Sequence, residues 1–146
     1  MNPAGGPAVP FPPVEPTATS WELHRLAAEA GEDLVAAGAD LAPGTVLAAY
    51  RCGLFPMGLG RHGRGPVGWW SPDPRAIMPL DGFHISSRLA RRLRSGQFVA
   101  TCDTAFEGVI RACSRGPGRE GGTWITGEMI RAYSELHRRG HAHSVE

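Results

Sequence analysis

Lysine is absent from the sequence: all 15 basic residues are arginine, and they face 14 acids for a formal net charge of +1. GC-rich coding accounts for such a bias, so the choice of arginine at any one position carries little information. Cysteine is scarce and odd in number. Cys52, Cys102 and Cys113 form no CxxC pair, which argues against a disulfide framework and a tetracysteine zinc site and leaves them reading as small buried hydrophobes. No apolar run approaches the roughly 18 to 20 residues of a membrane span, and the opening MNPAGGPAVP has neither a basic region nor an apolar one. A cytoplasmic protein with no membrane partner is expected.

With 146 residues, 42% of them hydrophobic, the chain is one domain or part of one. Its 20 glycines and 13 prolines stop just short of the composition of an unpatterned disordered chain, so a folded core with long loops is expected. Charge is divided unevenly. Residues 1–83 hold 5 arginines against 8 acids, and residues 84–146 hold 10 against 6. The second part can face an anion, although its excess is far below that of a dedicated nucleic-acid domain.

Six prolines within Met1 to Pro16 predict an irregular, disordered arm over residues 1–18. Thr19, three before Glu22, suggests a capping box, and Trp21, Leu26, Ala30 and Leu34 suggest a helical stripe that Gly38 stops. A second, short helix is expected from Pro43 to Cys52, with Gly53 past its end. Leu54 to Gly58 reads as an apolar turn, and Gly58 to Pro66 as a mobile glycine-rich loop that matches no Walker or dinucleotide pattern.

Val67 to Trp70 reads as a strand, Ser71 to Pro74 as a stiff turn, and Ala76 to Met78 as a second extended piece. A basic helix capped by Ser86 or Ser87 follows, then a strand from Phe98 to Cys102 and a helix capped by Asp103 that runs to about Cys113. After the loop Ser114 to Gly122, Thr126 caps a last helix that ends at Arg139 before Gly140, with Ile130, Tyr133, Leu136 and His137 on one face. His141 to Glu146 begins a strand-like alternation. About four short strands are thus expected after residue 67, beside at least three helices, which predicts the first part of a larger α/β (α+β) domain.

The runs GADLAPGTVLAAYRCGLFPM (Gly38 to Met57), GWWSPDPRAIMPLDGFHIS (Gly68 to Ser86), TAFEGVIRAC (Thr104 to Cys113), GTWIT (Gly122 to Thr126) and AYSELHRRGHAHSVE (Ala132 to Glu146) carry a specific resemblance. In this order and spacing the sequence resembles the leucyl/phenylalanyl-tRNA protein transferases. The resemblance implies an aminoacyltransferase that moves Leu or Phe, and less well Met, from aminoacyl-tRNA to the N-terminal Lys or Arg of acceptor proteins, marking them for degradation. It implies a monomer with a small N-terminal domain, here residues 19–80. The first, incomplete part of an acetyltransferase-like domain would then occupy residues 81–146. No cofactor and no metal are implied, because the tRNA ester already stores the acyl-transfer energy. The family's catalytic residues are expected beyond Glu146, so the chain reads as a truncated, inactive fragment.

Carried over residue by residue, the resemblance implies that Trp124 stacks on the terminal adenosine of the tRNA and that Tyr50 and Tyr133 lie near it. Met57 stands where better-known members place a second stacking tryptophan. Each of these four also reads as an ordinary core residue. Trp69 and Trp70, on opposite faces of a strand, can divide core packing from cleft lining, and Asp73 with Arg75 can pair to fix their turn. Arg88, Arg91 and Arg92, with Arg94, can meet tRNA phosphates or form a solvated helix face, and Arg115 and Arg119 more weakly so. His137, His141 and His143 lack a completing ligand for zinc. Were the short chain active, the proton acceptor would be sought among Asp73, Glu120, His141 and His143. A noncatalytic tRNA-end-binding protein and a Pro/Trp-rich protein-interaction module are the alternative readings.

Overall fold

The computed structural model describes residues 8–25, 32–115 and 122–146. Helices and a small sheet make a mixed α/β fold. Strands β1 (Leu34–Ala37), β2 (Phe55–Gly58) and β3 (Val67–Trp70) form an antiparallel sheet in the order β1-β3-β2. Helices α1 (Pro43–Arg51), α2 (Ser87–Arg94), α3 (Phe106–Arg115) and α4 (Gly127–Arg138) complete it.

The core gathers Leu23, Val46, Ala49, Leu54, Trp69 and Leu136 between α1, α4 and the sheet. Trp69 is its largest member, 1% exposed, and its indole Nε1 donates to the Gly38 carbonyl at 2.9 Å, so the ring is buried without an orphaned donor. Trp70, on the opposite face, is half-buried and donates to the Met57 carbonyl at 3.3 Å.

Helix α1 follows from local chemistry. Pro43 supplies a first-turn φ, the Asp40 carboxylate accepts from the Ala42 amide at 2.9 Å, and Gly53 takes a φ of 78° past the C-terminus. Residues 8–18 contain no helix or strand. They are nevertheless tied down: the Val14 amide donates to the Arg139 carbonyl, Arg51 pairs with Glu15, and the Thr19 and Thr45 hydroxyls bond at 2.8 Å.

The first stretch is not one helix. A single 3-10 turn covers Leu23–Arg25, Leu34 opens β1, and positions Leu26 and Ala30 lie outside the described residues. Tertiary pairing wins here, because only β3 offers the LVAA segment a partner ladder. Leu54 to Gly58 is likewise largely strand rather than turn, since β3 pairs with β2 on its other side. The stretch Gly58 to Pro66 closes into a hairpin loop with Leu59 N to Pro66 O at 3.1 Å and Gly60 N to Arg64 O at 2.7 Å.

Of the four strands expected after residue 67, only β3 forms among the described residues; Ala76 to Met78 is unpaired there, and Phe98 to Cys102 meets His141 to Glu146 through one bridge, Cys102 to Val145. No neighbouring strand is present to complete those ladders among the described residues. The three cysteines are exposed, not buried. Arg75 does not pair with Asp73 but donates to the Gly53 carbonyl at 2.6 Å, where a cation suits the end of α1.

Candidate functional site: an aromatic-rimmed cavity

The GTWIT segment turns before α4 opens. The Thr123 hydroxyl accepts from the Ile125 amide at 3.0 Å and the Thr126 hydroxyl accepts from the Met129 amide at 3.3 Å, as a capping residue should. These bonds hold Trp124 at the surface, 37% exposed. Met129 and Tyr133, one turn apart on α4, face Phe106, Val109 and Ile110 of α3 across a cavity of about 340 Å³ with almost wholly apolar walls, and Trp124 stands among its lining residues. A half-exposed indole beside apolar walls is a surface on which a planar ring can stack.

Tyr50 arrives from α1. Its hydroxyl lies 2.5 Å from that of Tyr133, and the rings meet edge to face at 6.4 Å and 83°. Burial, and then the bond to Tyr50, push the Tyr133 phenol well above its ordinary pKa. Tyr133 is therefore neutral at physiological pH. One hydroxyl hydrogen satisfies the partner and the second can be donated to a ligand; Tyr133 is not a base.

Ala142 to Ser144 form another wall of the cavity. His143 Nδ1 lies 2.8 Å from the Asp103 carboxylate and Nε2 lies 3.2 Å from the Gly140 carbonyl, while Asp103 also accepts from the Ser144 amide at 2.9 Å. Burial works against the Asp103 charge, but His143, the Ser144 amide and His137 together outweigh it and hold the carboxyl below its ordinary pKa. His137 stacks on Phe106 at 4.1 Å and reaches the Ala142 carbonyl, and His141 reaches the Val14 carbonyl. The three histidines thus serve packing and hydrogen bonding.

Asp103 was expected to cap α3, but its side chain turns to Ser144 and His143. Glu146 does the work at that end instead, accepting from the Ala105 amide at 2.9 Å and from the hydroxyls of Thr101, Thr104 and Ser144. No periodic signal announces these partners, because they lie some forty positions away in the chain.

The structure thus brings Trp124 and Tyr133 into one cavity and joins Tyr50 to them through a hydroxyl. Met57 lies on β2 opposite Gly68 and is not among the lining residues. Arg88, Arg91 and Arg92 project from α2, which Ser86 caps by accepting from the Leu89 amide at 3.2 Å. All three are exposed, and Arg92 sits 5.8 Å over the Phe98 ring. Arg115 and Asp73 are exposed as well, whereas Arg119 and Glu120 lie outside the described residues.

These features define a mixed α/β protein that presents an aromatic platform at the mouth of an apolar cavity. Two family models match: one described as the leucyl/phenylalanyl-tRNA protein transferase N-terminal domain over residues 39–73, and one described as leucyl/phenylalanyl-tRNA protein transferase over residues 77–146. A leucyl/phenylalanyl-tRNA–protein transferase of Syntrophotalea carbinolica is 49% identical over 114 residues, which is 77% of this chain and 48% of that protein. A protein of the same description from Xanthomonas euvesicatoria is 46% identical over 142 residues, 95% of this chain and 51% of the relative. The chain belongs to the leucyl/phenylalanyl-tRNA protein transferase family. It spans about half the length of the curated relatives it matches. No helix among the described residues is long and apolar enough to cross a membrane.

Proposed function

We propose that these residues carry the acceptor-end site of an aminoacyl-tRNA protein transferase. The terminal adenosine of a tRNA charged with Leu, Phe or, less well, Met stacks on Trp124, and the hydrogen-bonded Tyr50–Tyr133 pair donates a hydrogen bond beside it. Arg88, Arg91 and Arg92 meet phosphates further along the RNA, where unpaired guanidiniums give sequence-independent attraction. Residues 81–146 belong to the start of an acetyltransferase-like domain, and the protein is read as a cytoplasmic monomer that uses no cofactor. The observation that carries the reading is the half-exposed Trp124 held beside an apolar cavity between the Thr123 turn and the Thr126 cap.

The reaction is aminolysis. The neutral α-amine of an N-terminal Lys or Arg attacks the ester carbonyl, a tetrahedral oxyanion forms, and the ribose hydroxyl leaves with a proton. Stacking and hydrogen bonding orient the ester; the proton acceptor is assigned to the length that the relatives carry beyond the stretch aligned here.

The test compares binding of an RNA oligonucleotide ending in cytidine-cytidine-adenosine with one lacking the final adenosine. Removing the adenosine, or replacing Trp124→Ala, is expected to cost about 1–3 kcal/mol, and the two losses should not add. Equal binding of both RNAs would sink the reading. A second reading, a protein that binds the RNA end without transfer, uses the same surface. Transfer of labelled leucine from Leu-tRNA to a peptide beginning with Arg, by this chain beside a form extended to the relatives' length, separates the two.

A further inference from the structure

The hairpin loop Gly58 to Pro66 contains Arg61, His62 and Arg64 and no acid. It is built against the indole platform. A Cβ at Gly63 would stand 2.7 Å from the Trp124 Cα and 2.8 Å from its carbonyl oxygen, and one at Gly122 would strike the His62 ring. Gly63 therefore lets the loop meet the Trp124 backbone more closely than any side chain permits, Gly122 leaves room for the His62 ring, and both, at φ of 71° and 99°, use the left-handed region.

Gly63, Arg64 and Gly65 then form one side of a groove of about 380 Å³, whose other side is the start of α4 with Glu128 and Arg131. Glu128 is the acid in this groove, and its carboxylate lies 4.0 Å from the Arg131 guanidinium. Arg61 and Arg64 are exposed and make no ion pair or side-chain hydrogen bond among the described residues. Among the described residues the positive charge of the loop is thus uncompensated, beside the backbone of the residue on which a base would stack.

We infer that this loop is a second contact for the RNA strand, with Arg61 and Arg64 receiving the phosphodiester that leads to the base on Trp124. The inference rests on the reading of Trp124 given above. Base stacking fixes the nucleoside without reading its backbone, and a guanidinium pair next to the platform supplies the complementary, salt-sensitive part of the binding. Gly63 packs against the Trp124 backbone, so the loop that carries the arginines sits beside the platform.

The experiment is fluorescence anisotropy of the labelled RNA ending in cytidine-cytidine-adenosine, titrated with the 146-residue chain over a series of KCl concentrations. Replacing Arg61→Gln and Arg64→Gln together is expected to flatten the dependence of log K on log salt by about 1.4, two contacts at about 0.7 each for a single strand, with the preference for the terminal adenosine kept. Arg61→Lys with Arg64→Lys should restore the slope, and Trp124→Ala should lower affinity without changing it. An unchanged slope in the glutamine variant, with Trp124→Ala still weakening binding, would overturn the loop contact and leave the stacking reading standing. Indifference to Trp124 as well would remove both. An acidic peptide that competes equally, losing binding with the arginines but not with Trp124, would assign the loop to a protein partner and overturn the inference.

Discussion

The indole of Trp69 is buried and that of Trp124 is partly exposed, and their substitutions should separate accordingly. Trp69→Ala empties the core and strands the Gly38 carbonyl, with an expected loss of about 3–5 kcal/mol in denaturant unfolding; a loss below 1 kcal/mol would contradict the packing described. Tyr133 ionises late because it is buried. Spectrophotometric titration of Tyr50→Phe, in which Tyr133 is the sole tyrosine left, should show a phenol ionising above the ordinary range. Glu146 titrates at the other extreme, pulled down to about 2 from its ordinary 4.5, first by the Ser144 hydroxyl and then by the Ala105 amide and the two threonines. A depressed folded-state value favours the folded contacts of Glu146 above pH 4.5, and that contribution is lost as the pH falls from there toward 2. Amide exchange at Ala105 should accelerate over that window, and Glu146→Gln should abolish this part of the acid dependence.

Among the elements, α1 was legible almost to the residue, because Pro43, the apolar spacings and Gly53 act within one helix length. The cap of α4 at Thr126 and that of α2 at Ser86 were legible for the same reason. β1 and β2 were not. A four-residue segment such as LVAA carries too little pattern to decide between helix and strand, and its state is set by β3, which lies over thirty positions downstream. The site divides along the same line. Trp124, Tyr50 and Tyr133 were reachable through motif resemblance, but their hydroxyl bond and the shared cavity depend on how α1, α3 and α4 pack. Gly44 shows how tightly such packing is set: a Cβ there would collide with the Thr17 carbonyl. Gly44→Ala should cost about 1–3 kcal/mol by overpacking and should make residues 8–18 more open to limited proteolysis, the arm being the part that can give way.

Across the whole molecule, packing is unevenly shared. The core joins α1, α4 and the sheet, while residues 73–102 are exposed except at Ala90. Ile77, Met78, Leu80, Phe83, Phe98 and Val99 are all exposed along that stretch. Apolar surface on this scale binds hydrophobic probes. The native chain should enhance 1-anilinonaphthalene-8-sulfonate fluorescence, and replacing Leu80→Ser with Val99→Ser should reduce that signal while leaving unfolding of the core unchanged. The cavity beside Trp124, the proposed acceptor-end site, is lined by α3 and α4, so its ligand contacts can be read in this chain directly. The most direct measurement is a nuclear Overhauser experiment between the RNA ending in cytidine-cytidine-adenosine and the indole protons of the chain. Cross-peaks from the terminal adenine to Trp124, with upfield shifts of the adenine protons, are the expected result; cross-peaks to Trp21 or Trp70 with none to Trp124 would contradict the assignment of the site.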